Sequence, residues 1–441
     1  MNLSKKIFYN KNFLIYGMGK TGISSYYYLK KNNKITLYDD NKKILKNKNF
    51  KKFLLNKKKI HQFKFDYIVI SPGIDINNCE LKKYLKKNYK KIITDLDIFY
   101  VNNLKNKIIT ITGTNGKSTT AKLLSLILKK QKIDTRLCGN IGDPILSQKK
   151  ISKKTLFIIE ASSYQIDYSK IFKTNYAAIL NISPDHLERH GSMKNYVKSK
   201  FKLILNQSKK DFAFLKTKDR FLKKQIKNSK VFSKIINVNS KLILNFKKKI
   251  TNNYFLSKSN LENLSFIFAI CKKLNLKNKK IFETINKFKG LKYRQEIIYQ
   301  NKNITFINDS KATSFASSYN ILRSLSKVFW LVGGIGKLGD KFTLSKKDCK
   351  NINVYIFGKR KNFFINKFKN KLFYNSFNNI EQAFRQVLID VINSNKKFNK
   401  TVLFSPSAAS FDSFKNFEER GDYFNFLLKK YKVKQTINVI K

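Results

Sequence analysis

The chain is short of arginine, cysteine, histidine and acidic residues, and each shortage closes a line of interpretation. Its 441 residues carry 92 lysines and arginines against 27 aspartates and glutamates, a formal net charge of +65. Such an excess would suit a nucleic-acid backbone, where cations release condensed counterions. Yet only eight of the basic residues are arginine (Arg136, Arg189, Arg220, Arg294, Arg323, Arg360, Arg385 and Arg420), and arginine is the better fork for phosphates and base edges. The lysines run through every segment beside Asn, Ile, Phe and Tyr, the composition of an A/T-rich genome, and are expected on solvated faces. Nucleic acid is therefore not expected as the partner. The four cysteines (Cys79, Cys138, Cys271, Cys349) stand far apart with no C-x-x-C pair, which excludes a zinc ribbon and fits reduced thiols in the cytoplasm. No apolar run approaches the length of a membrane span, about 18 residues, and the start runs into a strand without a leader-type core. No internal repeat is visible.

What is present is 42% apolar residues, enough for several cores, in a chain long enough for roughly three domains at about 150 residues each. The pattern predicts an α/β fold of three domains. A Rossmann-like one covers 1–99, a central ATPase-type one 100–293, and a second Rossmann-like one 294–441. In the first, the apolar run Phe13 to Tyr16 leads into Gly17-Met18-Gly19-Lys20-Thr21-Gly22, then a helical stretch to about Lys31 and a strand Ile35 to Tyr38 ending at Asp39. Glycines in such a turn let backbone N–H groups approach a pyrophosphate. The last interval is one residue shorter than G-x-G-x-x-G, so a dinucleotide is not the first expectation, and a plain tight turn stays open. A further strand, Tyr67 to Ile70, ends in Ser71-Pro72-Gly73.

In the second segment the strand Lys107 to Thr112 leads into Gly113-Thr114-Asn115-Gly116-Lys117-Ser118-Thr119 and a helix through Ala121 to Leu128. The general phosphate-loop pattern G-x-x-x-x-G-K-[ST] wants a glycine where Ile111 stands. The chemistry needs only converging amides between strand and helix, a lysine for the outer phosphates and a hydroxyl for Mg2+, and these are supplied. Strands at Thr155 to Glu160 and Tyr176 to Asn181 follow. Glu160 is placed where a carboxylate can reach the metal of a bound nucleotide. Asn181-Ile-Ser-Pro-Asp-His-Leu-Glu-Arg-His190 holds His186 and His190 at i, i+4. They could be a zinc pair, but no third ligand or E-x-x completes it, and a polar loop with incidental histidines is the plainer alternative. The stretch 209–258 gives no placeable elements. The third segment shows strands at Ile304 to Ile307, Val328 to Val332, Val354 to Phe357 and Val402 to Phe404.

Three clusters, GTNGKST, Glu160-Ala-Ser-Ser-Tyr-Gln165 and NISPDHLERH, in this order and spacing, resemble the Mur ligase family of ATP-dependent amide ligases. In that family the shortened loop is the norm. The words Asn308-Asp-Ser-Lys-Ala-Thr313 and Ser405-Pro-Ser-Ala-Ala-Ser-Phe-Asp-Ser-Phe-Lys-Asn-Phe-Glu-Glu-Arg-Gly421 resemble the member that joins D-glutamate to UDP-N-acetylmuramoyl-L-alanine. The resemblance implies peptidoglycan-precursor synthesis through an acyl phosphate, with ATP and Mg2+, two metal sites included, by a cytoplasmic monomer with no nucleic-acid or membrane partner. It implies Lys117, Glu160, His186 and Lys200 as catalytic, with Ser118, Glu160, His186 and a carbamylated Lys200 on metal; Lys198 is a competing register for Lys200. ATP is expected at residues 113–119, Asn260, Asn263, Arg294 and Asp309. The UDP-substrate is expected at Gly17, Gly19, Lys20, Thr21, Gly22, Asp39, Ser71, Pro72, Gly73, Asn140, Ser162 and Gln165. D-glutamate is expected at Lys311, Thr313, Lys337, Ser410 and Phe417. Ser314 departs from the family's asparagine. A sister ligase for another amino acid, and a basic nucleic-acid-stimulated ATPase, are the competing readings.

Overall fold

A computed structural model describes residues 7–41, 50–255, 258–337, 339–394, 399–433 and 435. The chain divides into two compact units, Met1–Phe288 and Lys289–Lys441, and the first of these carries two sheets.

The first sheet is fully parallel, in the order β2-β1-β3-β4, from β1 (Asn12–Tyr16), β2 (Lys34–Tyr38), β3 (Tyr67–Ile70) and β4 (Ile92–Ile93). Its centre is β1, so the glycine turn after β1 opens between the ends of β2 and β3, the switch point where open α/β sheets take ligands. The second sheet, β10-β9-β8-β5-β7-β6, is also parallel. It contains β5 (Ile108–Thr112), β6 (Thr135–Gly139), β7 (Leu156–Glu160), β8 (Tyr176–Ile179), β9 (Phe212–Leu215) and β10 (Lys234–Asn237). Both faces are covered, which is why β5, β7 and β8 read as unbroken buried runs. Phe13 and Ile15 of the first sheet and Phe157 and Ile159 of the second belong to one continuous core.

The second unit holds the order β11-β12-β16-β13-β14-β15. Its strands are β11 (Glu296–Gln300), β12 (Ile304–Asn308), β13 (Lys327–Gly333), β14 (Ile352–Phe357), β15 (Phe373–Phe377) and β16 (Lys400–Phe404). All pairings are parallel except β11 with β12. Apolar cores lie on both faces, around Phe306, Leu331 and Phe404 on one and Trp330, Val332 and Leu403 on the other. Within 209–258, where the sequence places nothing, the chain forms β9, a helix Arg220–Lys227, β10 and a short helix Lys241–Leu244. No helix among the described residues is long and apolar enough to cross a membrane.

Candidate active site

The β-branched strand β5 delivers the chain to Gly113, where φ is +151°, and the loop closes at Gly116 with φ +82° before the helix Lys117–Lys130. Two features favour glycine at 116. Its backbone is left-handed, and a Cβ there would stand 2.3 Å from Oδ1 of Asn263, on the helix Lys258–Lys273. The loop after β8 braces the turn. Asn181 accepts from the Thr114 N–H through its carbonyl (3.0 Å) and from the Asn115 N–H through Oδ1 (2.8 Å), and its Nδ2 donates to the Asn115 carbonyl (3.0 Å). Thr114 Oγ1 accepts from the Ser183 N–H (3.0 Å) and bonds the Tyr196 hydroxyl (3.0 Å). Thr114, at a position the general phosphate-loop pattern leaves open, is therefore what ties the loop to its neighbour.

Lys117 lies over this turn, its Nζ donating to the carbonyls of Gly113 (2.9 Å) and Thr114 (2.8 Å). A second lysine reaches the same carbonyl from below: Lys200 Nζ donates to Gly113 O at 3.0 Å. It sits 4.7 Å from the centre of the Tyr196 ring and is 2% exposed. Burial, then the nearby Lys117, hold its ammonium well below the ordinary lysine range. Lys198, the competing register, lines a cavity instead of meeting the loop.

Glu160 ends β7 with no exposure at all. Its Oε1 accepts from Asn140 Nδ2 at 2.8 Å, and the Asn140 N–H donates to the Glu160 carbonyl at 2.8 Å. Its Oε2 is buried without a hydrogen-bond partner. A buried carboxylate oxygen in that state suits a cation ligand, and Ser118, on the first turn of the loop helix and itself buried, offers a hydroxyl. No three His, Cys, Asp or Glu side chains converge among the described residues. A hard cation here must therefore complete its shell with other oxygens, as Mg2+ does with phosphate and water. The two histidines have different partners. His186, at φ +54°, has its ring between Asp185 (3.3 Å) and Glu188 (3.6 Å). His190 turns inward to Ser163 Oγ at 3.0 Å, and burial followed by Lys200 pushes its pKa down to about 4.

In the first sheet, several residues expected at the UDP-substrate also shape the turn. A Cβ on Gly22 would fall 1.9 Å from the Gly17 carbonyl, and one on Gly17 2.7 Å from Ser71 Cβ. Gly19, in contrast, has open space around it. Ser71 Oγ donates to Gly17 O at 2.6 Å, and Asp39 Oδ2 accepts from the Met18 N–H at 2.6 Å, so Asp39 shapes the turn. Lys20 is exposed and Thr21 half-buried on the first turn of the helix Lys20–Leu29; Pro72 and Gly73 follow β3. Ser162 and Gln165 form a capping box on the helix Ser163–Tyr168. Gln165 also hydrogen-bonds Asp95, whose carboxyl burial raises to about 6.

In the second unit, Asp309 follows β12 and is buried. Its Oδ2 accepts from Ser405 Oγ (2.8 Å) and its Oδ1 from the Gln295 N–H (3.1 Å), while burial lifts its pKa to about 7 despite Arg294 nearby. Lys311 Nζ stands 3.6 Å from the centre of the Phe417 ring. Ser410 is buried, whereas Thr313 and Lys337 are half-buried. The residue that sequence reasoning passed over is Arg420, 1% exposed. Its Nη2 donates to the carbonyls of Ser310 (2.8 Å) and Ala408 (2.9 Å), and its Nε to Ser310 Oγ (3.1 Å), stitching the loops after β12 and β16 together. Its rarity in a lysine-dominated chain was the available signal.

A strand, glycine turn and helix carrying a lysine, beside a buried carboxylate on the adjacent strand and joined to a Rossmann-like sheet, define a nucleotide-using α/β enzyme of the phosphate-loop class. Residues 111–283 match the Mur ligase middle domain, and residues 11–93 match the Mur ligase MurD-like N-terminal domain. The UDP-N-acetylmuramoylalanine--D-glutamate ligase of Rickettsia bellii is 32% identical over 96% of this chain and 98% of its own. That of Rickettsia prowazekii is 33% identical over 95% and 97%. The fold is shared with the MurF ligase of Thermotoga maritima solved with ADP, with a TM-score of 0.57 and 15% identity over 98% of both chains. The chain belongs to the Mur ligase family.

Proposed function

We propose that the chain is an ATP-dependent ligase that joins D-glutamate to UDP-N-acetylmuramoyl-L-alanine in peptidoglycan-precursor synthesis. The observation that carries this is near-full-length identity of 32–33% to relatives bearing that name. The second-unit words Asn308 to Thr313 and Ser405 to Gly421 support it.

A carboxylate has no leaving group for amide formation. One of its oxygens attacks the γ-phosphorus of ATP and ADP departs. The D-glutamate amine then adds to the acyl carbon and phosphate leaves, carrying that oxygen. Both steps concentrate negative charge, so cations and converging amides dominate catalysis. The 113–119 loop would cradle the phosphates, and Lys117 would move from its own loop carbonyls to the γ-phosphoryl. Asn260, Asn263, Arg294 and Asp309 would complete the nucleotide site. Asn140, Ser162, Gln165 and the loops of the first sheet would take the UDP-substrate. Lys311, Thr313, Lys337, Ser410 and Phe417 would take D-glutamate, whose two carboxylates suit cations and hydroxyls.

Mg2+, at two sites, would be held by Ser118, Glu160, His186 and a carbamylated Lys200, and when bound it supplies charge neutralisation at phosphate. The buried Lys200 amine, held well below the ordinary lysine range, supports that modification, because only a neutral amine attacks carbon dioxide. Lys200→Ala is expected to lose most activity and regain part of it with a short-chain carboxylate; full unrescued activity would remove Lys200 from the site. Domain limits of 1–99, 100–293 and 294–441, a cytoplasmic location and a monomeric state complete the reading. Carboxylate-labelled substrate tests it: one 18O atom should appear in phosphate per amide formed, and unlabelled phosphate would sink the acyl-phosphate route.

A further inference from the structure

Arg189 is one of only eight arginines in a chain whose default cation is lysine, and its contacts together match a planar guanidinium fork. Its Nη1 donates to the Pro72 carbonyl at 2.6 Å, and its Nη2 donates to the Ile74 carbonyl. The guanidinium carbon lies 3.8 Å from the centre of the Tyr164 ring. Two separated in-plane donors beneath one stacked planar face are guanidinium geometry; an ammonium brings its donors to a single point and has no plane to stack.

The two ends of this contact lie in loops that follow strands of different sheets. Pro72 and Ile74 flank Gly73 in the loop after β3, the loop whose Ser71 also bonds Gly17 of the glycine turn. Arg189 itself sits on the one-turn helix Leu187–His190 capped by His186. The Tyr164 ring beneath it lies 5.0 Å from the His186 ring and 5.4 Å from that of His190, and His190 is pinned to Ser163. The position of the loop after β3 is thus referred, through one guanidinium and one ring, to the turn that carries His186 beside the phosphate loop.

We propose that Arg189 is a positioning residue for the UDP-linked substrate, latching the Ser71-Pro72-Gly73 loop to the His186 turn so that substrate held by the first sheet presents its carboxylate to the phosphate loop. This rests on the ligase reading above.

The test compares Arg189→Ala and Arg189→Lys in the full chain. For Arg189→Ala, KM for the UDP-substrate should rise about tenfold while KM for ATP and for D-glutamate stays within about twofold. Arg189→Lys should do little better, since a single ammonium point cannot hold both carbonyls while lying flat on the Tyr164 ring. Methylguanidinium, entering the 610 Å3 cavity that Arg189 lines, should lower the raised KM of the alanine variant and leave wild type unchanged. In ligand-free protein, amide exchange of Ser71, Gly73 and Ile74 should quicken in both variants. Unchanged KM for the UDP-substrate, wild-type behaviour of the lysine variant, or equal rises in all three KM values would overturn the proposal. If the alanine variant fails to fold, the lysine variant decides by the same KM comparison. Wild type that joins no D-glutamate refutes the ligase reading alone, and the exchange measurement then still decides whether the latch exists.

Discussion

Replacing Glu160 by glutamine should move stability and activity in opposite directions. Glu160 is fully buried, its Oε1 is satisfied by Asn140 Nδ2, and its Oε2 has no partner. Burying a polar atom unpaired costs about 1–3 kcal/mol, more for a charge. Glutamine keeps the shape and the Asn140 bond but sheds the charge, so the ligand-free protein should gain about 1–2 kcal/mol. At about 2–4 °C per kcal/mol for a domain of this size class, Tm should rise by a few degrees. Turnover should fall about 10²–10³-fold, the loss of about 3–4 kcal/mol of charge stabilisation at the reacting phosphate. Calorimetry with and without Mg2+ and ATP adds a third readout. Wild type at about a hundredfold excess over Kd should gain about 2.7 kcal/mol, and Glu160→Gln clearly less. A variant that melts lower and works less well would make Glu160 a structural residue, and a rate within threefold of wild type would remove it from the site.

Gly116→Ala should cost about 1–2 kcal/mol for its left-handed backbone and displace Asn263, so Tm should fall and KM for ATP rise with KM for the UDP-substrate unmoved. His190 folds with its pKa near 4, below the ordinary value of about 6.5. The unfolded chain therefore takes up a proton that the native one refuses, and stability should be lost as pH falls from about 6.5 towards 4. His190→Gln should flatten that part of the stability–pH curve, as urea titrations would show. Arg420→Lys replaces a buried fork on Ser310 and Ala408 by a single point and should cost about 2–3 kcal/mol, with KM for D-glutamate rising more than KM for ATP.

The central strands were legible because parallel sheets covered on both faces leave continuous apolar runs: β3 falls where it is read, and β5, β7 and β13 nearly so. Edge strands lack that mark. Phe373–Phe377 is largely exposed, and Lys234–Asn237 is only half-buried, so neither carries a hydrophobic pattern to find. The site was legible as words, since loop, carboxylate and histidines are each local. What holds those words in place was not. Arg189 meets partners 117 and 115 residues away, Thr114 meets Tyr196 82 away, and Arg420 meets Ser310 110 away. Asp39 shows the converse: a carboxylate at the end of β2 reads as a substrate contact, and its Oδ2 already serves the Met18 amide.

The ligase reading stands or falls on amino-acid choice. Purified full-length protein should be supplied with UDP-N-acetylmuramoyl-L-alanine, ATP, Mg2+ and, in separate reactions, radiolabelled D-glutamate, L-glutamate, L-alanine and a diamino acid. Label should enter the UDP-product from D-glutamate alone, with one ADP formed per amide and no stimulation by DNA or RNA. Incorporation of another amino acid in place of D-glutamate, or ATP turnover that needs nucleic acid, would contradict it.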